Sequence, residues 1–274
     1  MHEHTARSAF FRKTIGFLLM YATAGALSVW AAARWNPVSS VAPMEIGVWG
    51  AILFACVTIG LFFLVFQHRH SAKAMAISFA LATFFGVLFF LISFVNPFWA
   101  LAGTLVVTGT AFAFPRVIVH DVQAVLTSAG MALYLASLFG PLGLLVLLAC
   151  LSVYDVLVVR PAGALPSMVR SLLRESVVPG IMVPPTWHGY TRPVKEVLRG
   201  KAGMLGYGDL ILPLALAGRV AFVHPWAACL VLVGAMGGLS VIMRHAKERP
   251  QPALPPLALG AGIPFILIWI FLGL

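Results

Sequence analysis

Apolar runs of about 20 residues, broken by short polar links, fill almost the whole chain. A bilayer core of about 30 Å is crossed by about 20 apolar residues in a helix. The pattern predicts nine such helices, at residues 14–34, 45–67, 74–95, 98–115, 117–138, 141–160, 203–222, 224–243 and 254–273. The expected fold class is therefore all-α, a polytopic membrane protein of nine transmembrane helices.

One stretch interrupts the alternation. Residues 161–202 divide the chain into a six-helix part (1–160), a polar connector and a three-helix part (203–274). Within the connector, Leu165, Met168, Val169, Leu172 and Leu173 recur at helical spacing, with Arg170, Arg174 and Glu175 off that face. This predicts a short amphipathic helix over 164–175, suited to a membrane surface. Residues 177–185, VVPGIMVPP, are β-prone and bracketed by prolines, and read equally as a strand or as an extended linker. Residues 186–201 read as a solvent-exposed loop. Before the last span, KERPQPALPPL (247–257) carries four prolines. Proline there delays the helix and leaves backbone groups unpaired near membrane level. Irregular backbone of that kind is tolerated only against protein or a water-filled cavity.

Composition sharpens this picture. Hydrophobic residues make up 61% of the 274 positions and charged residues only 9%, against roughly 25% charged in soluble domains. A soluble core is excluded. The net charge of +10 becomes informative once mapped to the links. Sixteen of the eighteen Lys and Arg fall in the N-terminal tail and the even-numbered connections, leaving only Arg34 and Arg219 on the other side. The positive-inside rule then predicts a cytoplasmic N-terminus and an external C-terminus. Basic loops facing anionic lipid account for the charge, and no nucleic acid is implied. Arg12 and Lys13, the apolar run after them and Ala31–Ala33 have the form of a signal peptide. The run is long and the remainder membranous, so a retained first helix is expected. Cys56, Cys150 and Cys229 lie in spans without metal-ligand spacing and read as small buried hydrophobes. No metal or cofactor is expected. His68 and His70 read as a polar turn, Gly234 and Gly238 as helix-packing positions, and Trp30, Trp35, Trp99 and Trp226 as interface anchors.

Apart from Glu45 at the very edge of the second, three acids fall inside predicted spans: Asp121, Asp155 and Asp209. A charge at the bilayer centre costs at least ~2.5–3.5 kcal/mol, so each is a functional candidate. Asp121 lies near the cytoplasmic end of its span, beside Arg116 and His120, and reads most simply as a snorkelling or ion-paired residue. Asp155 lies roughly 7 Å from the inner end of the sixth span, and Asp209 about 9 Å into the seventh, at 1.5 Å per residue. Adjacent helices thus carry two acids at one depth. Two carboxyls a few ångströms apart share a proton and titrate as a unit. One can deprotonate a water while the other donates to a carbonyl oxygen, which is the aspartic-protease arrangement. Gly206 and Gly208 permit close backbone approach beside Asp209.

At this point the residues carry a resemblance. Tyr154-Asp155, Gly206-Tyr207-Gly208-Asp209 and Pro252-Ala253-Leu254-Pro255 resemble the YD, GxGD and PAL motifs of the presenilin/signal-peptide-peptidase family, in order, spacing and placement. Nine spans with the N-terminus inside look like presenilin, and the short loops look most like archaeal presenilin homologues. The resemblance implies intramembrane aspartyl proteolysis with Asp155 and Asp209 as the catalytic pair. It also implies that Tyr154, Gly206, Tyr207, Gly208, Pro252, Ala253 and Leu254 line the site. Tyr207 stands where presenilins usually carry Leu, so substrate preference does not carry over. The implied partners are single-span membrane substrates and membrane lipid. Self-association is left open, and nothing in the sequence calls for accessory subunits. The expected substrate is a helix unwound locally, and Gly180–Val183 is expected to pair with it by strand addition. Two other readings use the same acids. A proton- or cation-coupled transporter would employ them as a relay, although the paired repeats common in transporters are not evident. A prepilin-peptidase-like enzyme shares GxGD but lacks the proline motif.

Overall fold

Backbone that crosses lipid has no water to bond, so each apolar run must close its hydrogen bonds within itself and becomes a helix. The computed structural model describes residues 2–34, 46–67, 71–159, 178–198, 202–245 and 252–272. The first part holds α1 (His2–Arg34), α2 (Val48–Gln67), α3 (Ser71–Ile92), α4 (Pro97–Ala113), α5 (Val117–Leu138) and α6 (Pro141–Val159). The connector contributes β1 (Gly180–Val183), a 3₁₀ turn (Trp187–Thr191) and α7 (Val194–Leu198). Then come β2 (Gly203–Gly206), α8 (Tyr207–Ala221), α9 (Pro225–His245) and α10 (Leu254–Leu272). Among the described residues, long helices stand at all nine predicted positions. Four of them, Phe10–Arg34, Val117–Leu138, Pro225–Arg244 and Leu254–Leu272, are by length and composition sufficient to cross a membrane. The expected amphipathic helix at 164–175, His68, His70 and Trp35 lie outside the described residues.

Local chemistry sets several boundaries. Asn96 caps α4, its side chain accepting from the Trp99 N–H at 3.1 Å, and Pro97 follows at the first helical position. The start of α5 is tied to the connector instead. Val117 N–H donates to the Arg192 carbonyl (3.2 Å) and Val194 N–H to the Pro115 carbonyl (2.9 Å).

The seventh span departs from expectation. Residues 203–206 form a strand, so the helix begins at Tyr207 and Asp209 lies in its first turn, not deep within it. The cause is non-local: β2 pairs antiparallel with β1, placing Gly180 opposite Gly206 and Met182 opposite Met204. A Cβ on Gly180 would collide with the Leu205 carbonyl, so only glycine allows this approach. The β-prone reading of 180–183 is therefore right, and its partner is the chain itself. Residues 186–198 are not simply an exposed loop either. Val194 and Val197 pack with Val117, Val178 and Met182 in a small separate cluster, while Trp187 stays exposed.

α8 is the central helix. It buries Leu210, Leu212, Leu214, Leu216 and their alanine neighbours on nearly every side and packs against α1, α5, α6, α9 and α10. A helix apolar all round belongs in a core. Cysteine placement differs from expectation, for Cys56 and Cys229 are exposed on the outer surface and Cys150 is half-buried. Trp30, Trp99 and Trp226 are exposed, as anchors would be. The packing role of Gly234 and Gly238 holds. A Cβ on Gly234 would strike the Gly260 carbonyl, and one on Gly238 the Pro256 carbonyl. These contacts seat the start of α10 against α9. Gly238→Val is expected to force the pair apart, lowering stability by about 1–3 kcal/mol. Thermal unfolding in detergent or nanodiscs checks this, with Gly237→Val as the control, since Gly237 faces open space.

Candidate active site

The site is assembled from three chain ends that would otherwise leave backbone groups unpaired. The first is the start of α8. Gly206 is its extended N-cap (φ −68°, ψ 154°), and Asp209 occupies the third helical position. The Asp209 carboxyl accepts a hydrogen bond from the Gly206 N–H, and a Cβ on Gly206 would lie 3.2 Å from Asp209 Oδ2. This is the reciprocal half of a capping box, with Asp in place of the usual Glu. It bends the carboxyl back over the strand–helix junction. Tyr207 N–H donates to the Pro179 carbonyl at 3.0 Å, tying the same junction to the start of β1.

The second is the end of α6, which carries Asp155, half-buried, four residues before Val159. The third is the start of α10. Leu254 N–H donates to Asp155 Oδ2 at 3.0 Å, and the Ala253 N–H also serves this carboxyl. A proline-rich segment supplies free donors because its helix cannot form earlier. Asp155 lies within electrostatic reach of Asp209, on a helix that packs against α8.

The remaining sequence candidates divide. Pro252 and Ala253, ahead of the helix, are half-buried and Leu254 is buried; the main-chain N–H groups of Ala253 and Leu254 meet the acid. Gly208 faces open space, with nothing within 4 Å of where a Cβ would stand, which leaves room beside Asp209. Tyr154 is half-buried within electrostatic reach of Asp155. Tyr207 turns to neighbouring helices: its ring stacks on Phe79 (centroids 6.4 Å apart), and its hydroxyl bonds Thr83 of α3 and Thr127 of α5. It anchors the start of α8.

Asp121 differs from its sequence reading. It is 2% exposed, so it does not snorkel, and its Oδ1 accepts the Met182 N–H at 2.9 Å. His120 Nε2 donates to the Gly180 carbonyl at 2.9 Å; a carbonyl can only accept, which fixes the donor on that ring nitrogen. Tyr190 in the connector lies close by. Burial first, and then the Asp121 carboxyl, push its phenol up to about 12. The sequence reading also passed over Tyr21 of α1, which is fully buried within electrostatic reach of Asp209 and whose hydroxyl finds no hydrogen-bond partner among the described residues. A tyrosine in an apolar span that also carries Thr14, Thr23 and Ser28 gave no signal in the sequence.

No group of three or more His, Cys, Asp or Glu able to hold a metal ion occurs among the described residues.

Comparison with known proteins accords with this geometry. The profile described as signal-peptide peptidase, presenilin aspartyl protease matches residues 44–274. Two solved structures of a presenilin family intramembrane aspartate protease, in P2 and C222 space groups, resemble the fold at TM-scores of 0.57 and 0.58. Their sequence identities are 22% and 24%, and each alignment covers 92% of this chain and 95% of the other. None of the curated proteins matches the chain. The family profile spans more than four-fifths of the sequence and includes all three motifs, so this multi-pass membrane protein belongs to the signal-peptide-peptidase/presenilin family of aspartyl proteases.

Proposed function

We propose that Asp155 and Asp209 are the catalytic pair and hydrolyse peptide bonds within or near transmembrane helices through an activated water. The observation that carries this reading is the convergence of two spans' carboxyls, each oriented by main-chain donors: Gly206 for Asp209, Ala253 and Leu254 for Asp155. The pair holds a proton between its carboxyls. One removes a proton from water as it attacks the scissile carbonyl while the other donates its own to the carbonyl oxygen. On collapse the first passes its new proton to the leaving nitrogen and the second regains one from the gem-diol hydroxyl. Gly208 leaves space for the substrate backbone next to Asp209. Nine spans, with the N-terminus in the cytoplasm and the C-terminus outside, follow from the charge distribution. That orientation suits a single-span substrate whose own N-terminus is outside.

The substrate must be extended at the scissile bond. β1 cannot receive it, contrary to the sequence reading, because one edge is paired with β2 and the other with His120 and Asp121. The remaining edge is on β2. Met204 lies opposite Met182, whose N–H points out of the sheet to Asp121, so Met204 likewise directs its main-chain groups away from β1. A substrate strand added there would run directly into Asp209.

Three outcomes follow. In purified protein with a labelled single-span peptide, Asp155→Asn and Asp209→Asn each reduce cleavage at least about 10³-fold. Cleavage that survives either change refutes the pair, and proton flux into proteoliposomes without cleavage supports a transporter instead. Leu254→Pro removes the donor to Asp155 where proline is tolerated at a helix start. It lowers kcat roughly 10- to 100-fold, whereas Leu254→Met, which keeps the N–H, does not; equal rates would show that this contact does not orient the acid. Met204→Pro weakens substrate binding, read as a raised KM, and an unchanged KM rules out strand addition at β2.

A further inference from the structure

Asp121 is an expensive residue in an unexpected place. A carboxyl buried in an apolar setting is costly unless its oxygens are satisfied. Among the described residues Oδ2 makes no hydrogen bond, while Oδ1 accepts the Met182 N–H. Removing the carboxyl leaves the buried Met182 N–H without its acceptor, so its role lies in what it holds. What it touches is more informative. In an antiparallel pair, alternate residues point both main-chain groups at the partner strand or away from it. Gly180 and Met182 point away from β2, and their outward C=O and N–H are taken by consecutive residues of α5, His120 and Asp121. One donor and one acceptor thus stand where a third strand would supply its own.

The hairpin they hold leads straight to the acid. Gly180 pairs with Gly206, Pro179 accepts the Tyr207 N–H, and Gly206 donates to Asp209. α1 backs the same hairpin, with Phe17 against Gly203 and Gly16 against Val183. We propose that Asp121, together with His120, is a positioning clamp: it seals the outer edge of β1 against further strands and fixes the hairpin that sets Asp209 toward Asp155. The clamp acts through Asp209 and so rests on the catalytic assignment given above.

The test is a double-mutant cycle on the purified enzyme in nanodiscs, reading kcat, KM and thermal midpoint with a labelled single-span peptide. Asp121→Asn keeps an oxygen that accepts the Met182 N–H, and holds kcat within about threefold. Asp121→Ala lowers kcat roughly 10- to 100-fold, a loss that persists at temperatures well below the thermal midpoint. The midpoint itself falls because the Met182 N–H is left unpaired, and His120→Ala acts in the same direction. Met182→Pro deletes the donor, an N–H that points away from β2, and gives a comparable loss. The double variant Asp121→Ala/Met182→Pro is no worse than the poorer single variant, because both remove one contact. Wild-type kcat in Asp121→Ala overturns the clamp. So does an Asp121→Asn variant as impaired as the alanine, or losses that multiply in the double variant. Should Asp121→Ala not fold, Asp121→Asn and Met182→Pro decide: the clamp requires the first to be active and the second slow. Asp209→Asn runs alongside. Its cleaving peptide would sink the catalytic assignment, whereas an inactive Asp209→Asn beside a fully active Asp121→Ala sinks only the clamp.

Discussion

Unpaired main-chain N–H groups at helix starts are the constraint on which this site depends. In an apolar surrounding such donors must find acceptors. Here α8 and α10 begin beside one another, and each turns its free donors onto a carboxyl: Gly206 onto Asp209, Ala253 and Leu254 onto Asp155. One set of contacts therefore completes the helix ends and orients the acids. This explains why a GxGD turn and a proline-delayed helix occur in the same small region. The first places a helix start beside its own acid, and the second places one at the level of Asp155 of α6.

Holding two helix starts in register requires a frame, and α5 provides much of it. Its backbone approaches α3 so closely at Gly86 and Gly130 that a Cβ on Gly130 would overlap the Gly86 carbonyl. Its Thr127 meets the Tyr207 hydroxyl, and its first turn reaches β1 through His120 and Asp121. On the far side, the glycine seam between α9 and α10 sets where Leu254 stands. Asp209, one of the two acids proposed as the catalytic pair, thus sits on a junction where strand, helix start and polar side chains from α5 meet. The membrane-spanning bundle supplies the walls.

The spans and the two acids were legible because hydropathy and isolated charge are local signals. Asp155 and Asp209 stand out against apolar neighbours, and three motifs in order leave the family plain. The start of α8 was not legible. Gly203-Met204-Leu205-Gly206 is apolar enough to continue a helix, and four residues carry too little periodicity to say otherwise. Only pairing with a strand some 20 residues earlier makes it extended. Asp121 was misread for the same reason, since Arg116 and His120 are its sequence neighbours while Met182 is its partner in space. The cysteines were misplaced because an apolar residue in a lipid-facing helix has no need of the protein interior.

The central claim is that Asp155 and Asp209 act on one water at one scissile bond. The direct measurement is a structure of the complex with a peptide isostere whose hydroxyl mimics the tetrahedral intermediate. The account predicts both carboxyls within about 2.6–3.2 Å of that single hydroxyl, with the inhibitor backbone extended along β2. A hydroxyl bound by one acid while the other remains out of reach would contradict it.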